Sequence, residues 1–290
     1  PRLVRVTPAA TAPVPVDGPV LITGGTGGLG ALVASHLVES GGARDLVLVS
    51  RSGLSAGAAE LVGRLESAGA TVRVLAADVT DRQALADVVH GIDGLRGVVH
   101  CAGVLDDGTV TGLTAERVAG VLAPKVDAVV HLHELTLDQD LAFFTVFSSI
   151  SAVFGSAGQA AYSAANAFLD GFMSYRRGCG LVGQSLAWGL WANARGMGGA
   201  LAERTGSGLS DELGLALFDA ARALPDAYLV PAQLDLNAVR AAGTVPALLR
   251  RLVAVTVRRA DDGGATGDGL TQRLTALAGH RPGAHRVDGA

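Results

Sequence analysis

Lysine is almost missing from this sequence: of its 23 basic residues, all but Lys125 are arginine. Cysteine is nearly as scarce. Cys101 and Cys179 are too few and too far apart to read as a disulfide framework or a metal site, so a reducing cytosol is the expected setting. No apolar run reaches membrane-spanning length, and the N-terminus lacks a basic-then-apolar leader pattern. Excess positive charge is absent too. A formal charge of −4 and a pI near 6.0 weigh against a nucleic-acid face or an anionic membrane as partner.

What is present suits a large folded domain with attached ends. The 290 residues are 49% hydrophobic, ample for a buried core. The excess of Ala, Gly, Val and Arg matches a GC-rich genome, in which arginine serves wherever any cation suffices. The solitary lysine then stands where arginine did not suffice; the plainer alternative is a chance survivor on a helix surface.

Apolar, β-rich runs recur at 19–23, 45–50, 71–76, 97–101, 141–147, 185–188 and 228–231. Ala-rich helical stretches lie between them, among them 28–40, 56–68, 81–90, 114–135 and 160–176. This alternation predicts βαβ units, hence an α/β fold with a Rossmann-like, doubly wound parallel sheet. Residues 1–18 read as a strand-like piece (PRLVRV) and a Pro/Ala/Thr linker, 19–258 as the folded domain, and 259–290 as a C-terminal linker with a short helix start at LTQRLTALA (270–278).

The stretch LITGGTGGLG (21–30) follows the first strand and opens the first helix. Gly25, Gly27 and Gly30 satisfy G-x-G-x-x-G, and Thr23, Gly24, Gly28 and Gly30 satisfy T-G-x-x-x-G-x-G. In that position glycines let a pyrophosphate approach the backbone at a helix N-terminus, with Thr26 and Leu29 in the same cradle. After the second strand, Arg51 stands between Ser50 and Ser52 where an NAD enzyme commonly carries an acid. A guanidinium suits a 2′-phosphate, so the expected cofactor is NADPH. Asp78 and Val79 are expected near the adenine, and His100, Cys101, Ala102 and Gly103 beside the cofactor.

The fifth strand delivers Ser149 at its carboxyl end, Tyr162 follows thirteen residues later, and Asn166 lies one helical turn beyond. Two hydroxyls aimed at a ketone oxygen stabilise the charge that hydride delivery builds there, and Tyr162 is the candidate proton donor. A phenol with its ordinary pKa of about 10 needs a cation nearby to acidify it. Taken singly, each residue has a plainer reading: Ser149 ends a strand, Tyr162 is amphipathic core, Asn166 is a polar helix position.

The spacing resembles the short-chain dehydrogenase/reductase superfamily, whose ordinary members have lysine at the fourth position after the tyrosine. This chain has Asn166 there, and its lysine stands in LAPKVDAV (122–129). That exchange resembles the ketoreductase domains of modular type I polyketide synthases, as do TGGTGGLG, FSSISAVFGSAGQAAYSAANAFLD (147–170) and SLAWGLWA (185–192). The resemblance, covering about 19–258, implies a tetrad. Tyr162 is the proton donor and Ser149 its partner; Lys125 contacts the nicotinamide ribose and depresses the tyrosine pKa, while Asn166 helps hold the lysine and a relay water. It implies NADPH-dependent reduction of a β-ketoacyl group on an acyl carrier protein, within a megasynthase of other domains, in an actinomycete-like bacterium. Most of the family's non-catalytic structural subdomain is missing from this sequence, PRLVRV (1–6) resembling only its end.

The same resemblance implies a stereochemical type. Leu105, Asp106 and Asp107 match the L-D-D triplet of B-type domains, which give the D-configured (usually 3R) β-hydroxyl. Phe154 stands where A-type domains have tryptophan, and Ala164 where epimerising B2 domains usually have proline, which implies B1. On residues alone the two aspartates read equally as a solvated turn. Gln159, Trp191 and Met197 complete the expected substrate surroundings, the last two on a flap whose helix is expected within 207–224. Two other functions stay open: a free-standing carbonyl reductase, and a catalytically idle Rossmann module.

Overall fold

The computed structural model describes residues 5, 15–192, 208–241, 243 and 245–253. Among them, apolar runs build one parallel sheet in the order β3-β2-β1-β4-β5-β6-β7. Its strands are β1 (Val20–Thr23), β2 (Asp45–Ser50), β3 (Thr71–Ala76), β4 (Gly97–His100), β5 (Phe143–Ser149), β6 (Gln184–Trp188) and β7 (Tyr228–Leu229).

Strand alternation sorts the side chains into two cores. Val20, Ile22, Leu46 and Leu48 turn to one face, where Leu37 of α1 (Gly28–Glu39), Leu61 of α2 (Ala56–Ser67) and Phe218 of α8 (Asp211–Arg222) cover them. Leu21, Val47 and Val49 turn to the other, against Leu85 of α3 (Arg82–His90), Leu132 of α5 (Val126–Leu135) and Leu169 of α7 (Ala160–Gly178). Each such burial contributes about 1.5–3 kcal/mol. Only β3, at the edge, exposes alternate residues, Thr71 and Arg73 among them.

The chain winds outward from β1 through β2 to β3, then returns to lay β4 on the other side of β1. Helices therefore leave β1 and β4 toward opposite faces, which opens a crevice at the strands' carboxyl ends.

The helical stretch expected over 114–135 is two helices, α4 (Ala115–Leu122) and α5. Pro124 explains the break, since it has no N–H to donate and its ring crowds the preceding turn. Lys125 consequently sits at the junction as the N-cap of α5, its N–H donating to the Leu122 carbonyl at 3.0 Å. A further short helix, α6 (Ser151–Phe154), follows β5.

Helix starts differ in a way that matters for binding. Ser55, Asp81, Thr114 and Ser210 cap α2, α3, α4 and α8 through their side chains. Gly27 caps α1 without one, leaving first-turn N–H groups of that helix without a side-chain acceptor. Residues 6–234 form one compact unit. A second unit includes the described residues from Asp235 on, where Asp235 caps the short helix α9 (Leu236–Ala241) through the Asn237 and Ala238 amides. The strand-like piece at 1–6, apart from Arg5, and the C-terminal segment after 253 lie outside the described residues. Among those residues no helix is long and apolar enough to cross a membrane.

Candidate active site

A cleft of about 960 Å³ opens at the carboxyl ends of the strands. Its floor is the glycine loop. Gly24 has φ +68°, and a Cβ there would come within 3.0 Å of the Ala102 amide nitrogen; a Cβ on Gly30 would lie 2.2 Å from the Gly24 carbonyl oxygen. Only glycine permits this turn and this approach of helix to loop. Thr26, Gly27, Gly28 and Leu29 line the cleft, as do Cys101, Ala102 and Gly103 just past the end of β4. Gly24, Ala102 and Gly103 continue into a second cavity of about 510 Å³, lined by Ser50, Arg51, Ser52, Asp78 and Val79. Asp78 accepts from the Thr80 amide at 2.9 Å and its hydroxyl at 2.8 Å. Those bonds, helped by the charge of Arg51, hold its carboxyl below the ordinary value.

Three expected cofactor residues lie elsewhere. Thr23 and His100 are fully buried and bond each other, Oγ1 to Nδ1 at 2.7 Å, beneath the cleft rather than on its wall. Burial first, then the charge of Lys125, pushes the His100 pKa down to about 3. This neutral imidazole ties β1 to β4. Gly25 likewise does not face either cavity, because a Cβ there would meet the Ile22 carbonyl at 2.7 Å.

At the other end of the cleft stand Lys125, Ser149 and Tyr162. Lys125 is 2% exposed, its Nζ donates to the Phe147 carbonyl at 2.9 Å, and it lies 5.6 Å from the centroid of the Tyr162 ring. Burial drops its pKa to about 8, against the opposing influence of Cys101 and Asp170. Lysine offers here a compact ammonium at the end of a flexible stem, where arginine would place a bulkier planar guanidinium. Cys101 itself is pushed up to about 12 by burial.

Tyr162 stands in the first turn of α7, where burial holds its pKa above the ordinary value, opposed by Ser149 and Asn166 and aided by Asp107. The Lys125 ammonium faces the phenol ring and donates its hydrogen bond to Phe147. Asn166 is fully buried; its Nδ2 donates to the Tyr162 carbonyl at 2.8 Å, its backbone oxygen accepts from Ser148, and among the described residues its Oδ1 has no partner.

One residue that the sequence reading did not assign is Asp170, one turn past Asn166. Its carboxylate accepts from Ser185 at 2.6 Å. Burial raises its pKa, while Ser185, Ser148 and the charge of Lys125 lower it. The i, i+4, i+8 spacing of Tyr162, Asn166 and Asp170 was the available signal.

Of the expected stereochemical residues, Leu105, Asp107, Phe154, Gln159 and Trp191 line the cleft. Asp106 does not; it pairs with Arg117. Trp191 is 5% exposed, tilted against Trp188 at 5.0 Å and packed so closely on Gly214 of α8 that a Cβ there would overlap its ring. It is a fixed wall at one end of the expected flap. Met197 lies outside the described residues. Among those residues no group of His, Cys, Asp and Glu could hold a metal ion.

The family model described as KR domain matches residues 18–193. The spectinabilin polyketide synthase system protein NorA' of Streptomyces orinoci is 49% identical over 295 residues, covering 96% of this chain and 8% of that protein. Polyketide synthase GfsA of Streptomyces halstedii is 49% identical over 299 residues, 96% of this chain and 4% of its own. This chain thus spans a small fraction of these curated relatives. A solved structure described as A-type ketoreductases from a modular polyketide synthase superposes with a TM-score of 0.79 at 39% identity, over 86% of this chain and 55% of that one. With the parallel sheet, the glycine cradle and these matches together, the chain belongs to the ketoreductase (KR) domain family of modular polyketide synthases.

Proposed function

We propose that this chain reduces the β-keto group of a polyketide intermediate, carried as a thioester on an acyl carrier protein, with NADPH as reductant, giving a D-configured β-hydroxyl without epimerisation. The observation that carries this reading is the burial of the sequence's one lysine against Tyr162, in a cleft that also holds Ser149 and the glycine loop.

The fit to a dinucleotide rests on the close approach at Gly24 and on the start of α1, which has no side-chain cap. Arg51, exposed between two serines in the second cavity, supports a 2′-phosphate and hence NADPH over NADH. When bound, that cofactor supplies the hydride. Everything else falls to the chain's own residues.

Ser149 and Tyr162 donate hydrogen bonds to the ketone oxygen, each such donor typically worth about 10²–10³ in rate. The raised pKa keeps the phenol protonated at neutral pH, so the proton is in place when negative charge develops. As the carbonyl carbon gains hydride, the Tyr162 proton passes to the oxygen, and the phenolate left behind is stabilised by the Lys125 ammonium. Asn166 fixes the first turns of α7 through the Tyr162 carbonyl and thus the phenol's aim.

Leu105-Asp106-Asp107, with Phe154 where a tryptophan marks the A type, supports the D-alcohol. The extent 19–258 for the catalytic unit, a structural-subdomain remnant before it, a linker after it and a bacterial cytoplasmic setting belong to the same proposal, supported by the Streptomyces relatives. The test is incubation with NADPH and a β-ketoacyl N-acetylcysteamine thioester beside Tyr162→Phe. Turnover to D-alcohol, lost in the variant, is the expected result; equal rates in both remove Tyr162 from the mechanism, and an L-alcohol overturns the B1 assignment.

A further inference from the structure

Arg117 carries no motif in the sequence, yet it is the most connected side chain at the rim of the cleft. Its Nε donates to Asp106 Oδ2 at 2.7 Å and its Nη2 to the other oxygen of the same carboxylate. The same Nη2 reaches the Asp107 carbonyl at 3.0 Å, and Nη1 the Gly112 carbonyl at 2.8 Å. One guanidinium fork thus spans the loop from Asp106 to Gly112. It lies flat on Gly108, where a Cβ would sit 3.0 Å from both terminal nitrogens.

The neighbouring aspartate does something different. Asp107 accepts from Gln159 Nε2 at 3.1 and 3.3 Å, and the Gly108 amide donates to the Gly158 carbonyl at 2.8 Å. These bonds join the loop to the residues that lead into the tyrosine helix. Adjacent residues of an extended segment point to opposite sides, so with Asp106 turned out to Arg117 the Asp107 carboxylate faces the cleft.

We propose that Arg117 is a positioning residue for stereochemistry: by pinning Asp106 outside the cleft it aims Asp107 at Gln159, closing the rim beside Tyr162 so that the thioester enters from one side only. This rests on the reading of Leu105–Asp107 as the stereochemical element. Asp106 then acts through Arg117 rather than on substrate. Arginine is required because a lysine cannot bond both carboxylate oxygens and two carbonyls at once.

The test uses Arg117→Met and Asp106→Asn in the full chain, with NADPH and a β-ketoacyl N-acetylcysteamine thioester. The readouts are the D:L product ratio, amide hydrogen exchange over 105–112 and thermal midpoint. Both variants are expected to lower the D:L ratio by about tenfold or more and to speed exchange at Gly108, with the midpoint and NADPH affinity held. Arg117→Lys recovers only part of the ratio. A wild-type ratio in both variants overturns the proposal, as does unchanged exchange at Gly108, or a ratio lost only in a variant whose midpoint has also fallen. A wild type that yields L-alcohol overturns the B1 reading alone, and the variants' change in ratio still decides the role of Arg117.

Discussion

Among the described residues two buried cations, Arg176 and Lys125, are handled in different ways. Arg176, 0% exposed, donates to the Val182 carbonyl at 2.7 Å, bonds His133 Nδ1 at 2.8 Å and lies 4.2 Å from the centre of the Phe144 ring. Lys125 also combines a backbone carbonyl with an aromatic face, but among the described residues it makes a single side-chain hydrogen bond and it borders the cleft. Burial lowers both pKa values, Arg176 to about 10 and Lys125 to about 8. The arginine is therefore a permanently charged strut inside the fold. The lysine is held close to neutrality's edge, where a proton transfer next to it changes its energy most.

If that contrast is right, exchanging each cation for methionine separates activity from stability. Lys125→Met is expected to lower kcat by roughly 10²–10⁴, the range for losing charge-assisted proton transfer. Its stability should change by less than about 1 kcal/mol, because the lost hydrogen bond is offset by relief of a desolvated charge. Steady-state kinetics and denaturant melts check both halves. Arg176→Met should do the reverse. The Val182 carbonyl and His133 lose their donor inside the protein, a cost of about 2–4 kcal/mol, while kcat of the folded fraction stays near wild type.

A smaller effect sharpens the lysine side. Lys125 works as an ammonium, so kcat should fall as pH rises through about 8. Asp170 raises that pKa, and Asp170→Asn should move the alkaline limb to lower pH in a pH–rate profile. An unmoved limb would mean that the carboxylate does not govern the lysine. The smallest effect belongs to the arginine side. Burial and Arg176 hold His133 below its ordinary pKa, as burial and Lys125 do His100. The folded chain then binds fewer protons than the unfolded one. The stability due to these neutral imidazoles is full above about pH 6.5 and is lost as pH falls toward about 3, the folded value of His100. Thermal melts across that window should flatten slightly in His133→Gln, which keeps an acceptor but cannot titrate.

The sheet was legible because its signals are local: alternating apolar runs, a glycine loop between strand and helix, a serine at a strand end. The helix break at Pro124 was equally readable and went unread, since the Ala-rich pattern on both sides of it carries helical periodicity. The contacts that decide chemistry were not local. Nothing near Thr23 indicates that it bonds a histidine 77 residues away. Nothing near Asp106 indicates that its charge is taken by Arg117 on the next helix. The burial that raises the Tyr162 pKa likewise appears only once the chain is folded.

Because Lys125 is the only lysine in the sequence, a single resonance reports on the central claim. With ¹³Cε-labelled lysine, an NMR titration should show one side-chain signal with a midpoint near 8. A midpoint at about 10.4, the value of a lysine in water, would put the amine outside the protein and contradict the account.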